Sequence, residues 1–203
     1  MSFAESLPQT DRALWTRATK HPFFEAIGDG TLPIEAFNVS ISQHYHLIIG
    51  LGAYTRTLAA IAPDADRSGL RVVASMLEPE YDLFRRYAQR EQINLEAEPI
   101  RQCSEYLAFL NASVRADYGH GLVAYYACER SLFEAWTFAR ALSGFSSPYA
   151  EWLENWSSSE FERFVQWIGR CVDAAVGDGC DELREVFVGT VRHAIAFWDS
   201  FVP

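Results

Sequence analysis

The sequence predicts an all-α protein, a single-domain bundle of about eight helices. Three observations carry that expectation. Apolar residues recur at three- and four-residue spacing along most of the chain, and Gly, Pro and Ser-Asp punctuation cuts it into long segments with short joints. No stretch alternates with the period of two that marks a half-buried strand. At 203 residues and 49% hydrophobic the chain can fill one core, and no internal stretch is long enough to act as a linker.

Each element has its own signals. Thr10-Asp11 can cap a first helix that runs through Leu14, Trp15, Phe23 and Phe24 and stops at Gly28-Asp29-Gly30. Thr31-Leu32-Pro33 opens a long second helix that ends near Pro63. A third begins around Asp64–Ser68 and reaches about Gln92, with Pro79 expected to kink or split it. Pro99 starts a fourth, ended by Tyr118-Gly119-His120-Gly121, and a fifth spans Leu122 to about Leu142. After Ser143–Pro148 comes a short sixth, Tyr149 to Trp156. Ser157–Ser159 cap a seventh whose first turn carries Glu160 and Glu162, as the helix dipole favours. Gly177–Gly179 separates it from the last helix, Asp181 to Phe201.

Composition narrows the function classes. With 17 Lys and Arg against 27 Asp and Glu, the net charge of −10 repels phosphate backbones, and no basic recognition helix is visible. No nucleic-acid partner is expected. The longest apolar passage, Ile48 to Tyr54, is far short of a membrane span, and the first residues lack the basic and apolar regions of a secretory signal. Four cysteines without C-x-x-C spacing read as free thiols in a soluble cytoplasmic protein.

Function is sought where polar groups sit on apolar stripes. The second helix presents Phe37, Ile41, His44, Ile48 and Leu51 on one line, and the third presents Val73, Leu77, Glu80, Phe84 and Tyr87. The fifth aligns Leu122, Tyr125, Glu129, Leu132 and Trp136, with Cys128 one step round from Glu129. Taken singly, His44 reads as a satisfied interior histidine and Cys128 as a small packed hydrophobe. Together they place three ionisable groups and a thiol inward on three helices, which suggests a cavity for a small molecule. Glu134 falls on the opposite side of its helix, near Arg130, and reads as solvated surface paired i,i+4.

Three stretches resemble the TenA (thiaminase II) family. The first is His21-Pro-Phe-Phe-Glu-Ala-Ile-Gly-Asp-Gly-Thr-Leu-Pro33, with Phe37 and Gln43 following. The second joins Glu105-Tyr106 and Phe109-Leu110 to the run Leu122–Glu134. The third is Tyr149–Phe161, with Phe197-Trp198 near the end. The resemblance implies a heme-oxygenase-like helical bundle that hydrolyses thiamine-related aminopyrimidines without a cofactor. A cysteine acts there as nucleophile, assisted by acidic residues and ringed by tyrosines. It also implies a homodimer or homotetramer. Cys128 matches the family cysteine and Tyr106 a substrate-lining tyrosine.

Other positions depart from the family. His44 stands where it has aspartate, and Leu47, Leu132 and Trp156 stand where it has tyrosines. Ala194, beside His193, stands where it has glutamate. The resulting expectation is a cysteine hydrolase with altered substrate choice. Cys128, Glu129 and His44 would do the chemistry, His44 exchanging protons near pH 7, and Tyr106, Glu80, Tyr125, Trp156 and His193 would hold the substrate. Two other readings stay open: a catalytically degenerate protein that binds a ligand or partner, and an oxidase on the same bundle. For the oxidase, Tyr126-Ala-Cys-Glu129 fits a Tyr-Ala-x-Glu run and Glu80 could add a second carboxylate. The five histidines nevertheless supply no clustered ligand set, and no metal is expected.

Overall fold

A computed structural model describes residues 1–144 and 147–202. Among these residues every regular element is helical. They are α1 (Phe3–Ser6), a 3-10 turn (Leu7–Gln9), α2 (Arg12–Thr19), α3 (Pro22–Asp29), α4 (Ile34–Ile61) and α5 (Asp64–Glu91). There follow α6 (Arg101–Ala116), α7 (Tyr118–Leu142), α8 (Ala150–Trp156), α9 (Ser159–Val176) and α10 (Asp181–Asp199). No described helix is long and apolar enough to cross a membrane.

The segment expected as one first helix is two. Pro22 has no amide hydrogen to continue α2, and its ring drives the preceding residue out of the helical region; His21 is extended at φ −69°, ψ 142°. The His21 ring then caps the new start, Nδ1 accepting from the Phe23 amide at 3.2 Å while Nε2 faces Asp199 Oδ1 at 3.1 Å. Pro79 does not end α5. It lies on the exposed side, as does Ser75, whose carbonyl it strands, so water can take that carbonyl.

The loop expected at Tyr118–Gly121 is instead the first turn of α7. Asp117 caps it, Oδ1 accepting from the His120 amide at 2.9 Å. Gly121 belongs inside this turn because a Cβ there would come within 2.9 Å of Leu58 and 3.1 Å of the Val114 backbone. Of the break expected at Ser143–Pro148, Phe145 and Ser146 lie outside the described residues. Glu134 is not simple surface: it is half-buried, bonds Arg130 Nε at 2.9 Å as expected, and accepts from Trp15 Nε1 at 2.9 Å.

The layout makes α7 the axis. It packs against α2, α3, α4, α6, α8, α9 and α10, while α4 and α5 form a long antiparallel pair along one side. From Gly121 to Glu129 every α7 residue is buried, so any polar side chain there faces protein or an internal space. Cys128 and Glu129 lie in that stretch.

Candidate active site

Beside the middle of α7 is a small internal cavity of about 30 Å³, room for little more than ordered water. His44, Leu47 and Leu51 of α4 line it with Leu77 and Glu80 of α5. Tyr106 comes from α6, Cys128, Glu129 and Leu132 from α7, and Ala194 and Trp198 from α10. Five of the eight residues singled out by sequence therefore meet in one space. Next to it lies an open groove of about 270 Å³ between α5, α7 and α9. Met76, Tyr125, Trp156, Phe161 and Phe164 wall it, and Glu80 and Glu129 are common to both spaces.

Burial sets the charge states. Glu129 is only 7% exposed and makes no hydrogen bond to another described residue. Desolvation, with the Glu80 charge adding to it, pushes its carboxyl up to about 8. Glu80 is pushed up to about 7 by burial, opposed by the Trp156 indole, whose Nε1 donates to Glu80 Oε1 at 2.6 Å. Burial and the neighbouring Glu129 carboxylate raise the Cys128 thiol far above its ordinary range. The Tyr106 hydroxyl beside it opposes that shift. The resting sulfur is a thiol.

His44 departs from expectation. It is 2% exposed in an aromatic box, its ring 4.8 Å from Trp156, 5.2 Å from Trp198 and 5.4 Å from Phe84. Among the described residues it has no hydrogen-bond partner, and desolvation depresses it to about 3. A ring this hard to protonate does not trade protons near pH 7. His193 is the other correction. Its ring turns away from the cavity and lies between Tyr106 (6.1 Å, 12° between planes) and Phe109 (4.9 Å). The adjacent Ala194 lines the cavity instead.

Sequence reasoning missed Trp198, Leu77 and Tyr54. Tyr54 is buried near Cys128, its hydroxyl donating to the Gly121 carbonyl. Apolar stripe residues carry no mark that distinguishes a cavity wall from solid core. Among the described residues no group of three or more His, Cys, Asp and Glu side chains is disposed to hold a metal ion.

A sequence profile of the TENA/THI-4/PQQC family matches residues 9–202. The chain belongs to this family. It is 30% identical to an aminopyrimidine aminohydrolase of Halalkalibacterium halodurans, over 98% of this chain and 95% of that one. A second aminopyrimidine aminohydrolase, from Helicobacter pylori, is 24% identical over 98% of each chain. The structure superposes on a TenA homologue from Pyrococcus furiosus with a TM-score of 0.94 at 25% identity, covering 98% of this chain and all of that one.

Within the TENA/THI-4/PQQC scaffold, the departures read from sequence cluster at one place. His44, Leu47, Leu132 and Ala194 all line the cavity, and Trp156 lines the groove against it.

Proposed function

We propose that the protein hydrolyses a C–N bond of a thiamine-related aminopyrimidine, with Cys128 as nucleophile and Glu129 as proton carrier. The observation that carries this reading is the junction of a buried thiol, a buried carboxyl and Tyr106 in one cavity on the central helix. Matching relatives named as aminopyrimidine aminohydrolases support the substrate class.

The chemistry follows from the charge states. As the sulfur bonds to the substrate, its proton must leave, because the free thiolate is strongly disfavoured there. Glu129 is the adjacent carboxyl and accepts that proton when it is in its ionised form. The C–N bond breaks and the departing nitrogen takes up a proton. Water then replaces sulfur on the substrate carbon, and its proton returns to Cys128. The net reaction consumes one water, forms one C–O bond and releases the amine.

Tyr106 stays protonated and can donate to the sulfur or the ring, while Tyr125 and Trp156 offer flat surfaces at the groove side. His193, stacked on Tyr106, is a positioning residue. His44 supplies a neutral ring nitrogen as a hydrogen-bonding group for the substrate. A pyrimidine ring needs more than the resting 30 Å³, so Leu77, which borders both the cavity and the groove, moves when substrate binds. Leu47, Leu132 and Ala194 make the pocket less polar than the family pattern, which favours a changed substituent on the ring. We place the enzyme in the cytoplasm as a homo-oligomer, with Cys103, Cys128, Cys171 and Cys180 unpaired as in the structure.

The test is ammonia release from aminomethyl-aminopyrimidine, with thiamine in parallel, by wild type and Cys128→Ser. Saturable turnover that falls to background in Cys128→Ser is expected. Equal turnover in both proteins, or none in the wild type with either substrate, overturns the reading.

A further inference from the structure

Glu80 and Glu129 reach the same space from different helices, and both face the inner cavity and the outer groove. No Arg or Lys lines either space among the described residues. Of the surrounding helices, α4 presents the neutral ring of His44, α6 presents Tyr106, and α7 presents Tyr125 and Cys128. From α10 come Ala194 and Trp198, from α8 Asn155 and the Trp156 indole, and at the α9 rim stands a third carboxylate, Glu160. On α5 itself, Glu78 and Tyr81 flank Glu80, and Arg56 of α4 faces the Tyr81 hydroxyl. Two carboxylates in a poorly solvated space with no counter-cation do not both ionise. One proton stays with the pair.

We propose that Glu80 and Glu129 act as a one-proton pair at the wall between cavity and groove, with Trp156 as the positioning residue for Glu80. This rests on the hydrolase reading. In the first half-reaction the ionised member takes the Cys128 proton as the C–S bond forms. The protonated member gives its proton to the nitrogen as the C–N bond breaks. The pair still holds one proton, now on the other member. In the second half-reaction the ionised member takes a proton from water as the C–O bond forms, the other returns a proton to sulfur as the C–S bond breaks, and the pair is reset. No other acid or base is required, and His44 takes no part in proton transfer. The upward shift of both carboxyls' pKa by burial agrees with this arrangement.

Trp156 fixes which oxygen of Glu80 is free. Its indole donates to Oε1 at 2.6 Å, leaving Oε2 for the proton and the substrate. That bond favours the ionised form of Glu80, so its loss raises the Glu80 midpoint.

Two measurements test the pair. The first, infrared difference titration of the carboxylic-acid C=O stretch in wild type, Glu80→Gln and Glu129→Gln, needs no activity and so stands apart from the hydrolase reading. One protonated carboxyl per chain is expected in wild type at pH 7. In Glu80→Gln the Glu129 midpoint should fall, because the repelling charge is gone. Two ionised carboxyls in wild type at pH 7, or an unmoved Glu129 midpoint in Glu80→Gln, overturns the pair. The second measurement is the pH profile of kcat/KM on whichever aminopyrimidine the wild type turns over. Glu80→Gln and Glu129→Gln should each lose roughly 100-fold or more, the scale of a missing general acid or base. Trp156→Phe should move the limb belonging to Glu80 to higher pH, and Trp156→Tyr, which restores a donor, should move it back. An unshifted limb in a folded Trp156→Phe protein overturns the positioning role.

Discussion

Replacing His44 by Gln should remove a pH-dependent loss of stability that can be worked out beforehand. In the unfolded chain the imidazole titrates near 6.5, whereas in the folded protein burial holds it down to about 3. Between those values the unfolded state binds a proton that the native state refuses. The native state therefore loses stability as pH falls from 6.5, by about 1.4 kcal/mol per pH unit. At pH 5 the loss attributable to His44 is about 2 kcal/mol, and it approaches about 5 kcal/mol toward pH 3. Gln has a similar size and does not titrate. Its loss of stacking on Trp156 and Trp198 is a constant offset at every pH, and carboxyl groups common to both proteins cancel in the difference. Urea unfolding of the two proteins at pH 7, 6 and 5 gives that difference directly. The stability of the His44→Gln protein relative to wild type should rise by about 2 kcal/mol between pH 7 and 5. A flat difference would show that the folded protein protonates His44 normally, and would restore it as a candidate base.

Two further substitutions probe the packing and charge around α7. Gly28 lets α3 lie against α7: a Cβ there would sit 2.5 Å from the Ala139 carbonyl oxygen and 2.8 Å from Leu142 Cβ. Because the nearest obstruction is backbone, Gly28→Ala should cost roughly 1–3 kcal/mol in urea unfolding, and an unchanged midpoint would mean that the helices part freely. Glu129→Leu should do the reverse. Glu129 is raised from 4.5 to about 8, so in wild type each pH unit above 4.5 favours the unfolded, ionised side chain, up to the folded value. At pH 7 the leucine variant should gain about 3 kcal/mol from that linkage while losing turnover; equal stability across pH 5–7 would refute the shift.

The helical bundle was readable because the periodicity of apolar residues depends on local sequence alone. The same holds for the inward direction of His44, Glu80 and Glu129, which follows from a register of about 100° per residue. The errors arose where a single residue outweighed the pattern. Pro22 divided a continuous apolar run into α2 and α3, and Asp117 turned a Gly-rich stretch from a breaker into the first turn of α7. His193 failed by one step of that register, since Ala194 is the residue that turns inward on α10. The neutrality of His44 was not readable at all. Its ordinary acidity is a property of the side chain, whereas its depression is set by Phe84, Trp156 and Trp198, which arrive from three other helices. Glu134 shows the same limit: its i,i+4 partner Arg130 was legible, but the Trp15 indole comes from far away in the chain.

The departures from the family pattern are better understood as a set than one by one. The resemblance expects acids at the positions of His44 on α4 and Ala194 on α10, and both are lost. Two acids, Glu80 on α5 and Glu129 on α7, nevertheless line the same cavity, so it still holds two carboxyls. The tyrosine expected at 156 is a tryptophan whose indole bonds one of the two. A pocket drifting toward loss of function has no reason to hold a buried Glu129 and a partly buried Glu80 without a counter-cation. Each weakens the fold at neutral pH, and an apolar residue in its place would relieve that cost. Strain of this kind persists at working sites. Under the proposed hydrolysis, the groove-side position of both carboxyls would put the scissile nitrogen at the wall between cavity and groove, with the ring toward Cys128 and Tyr106 and the departing group toward Tyr125, Phe161 and Phe164.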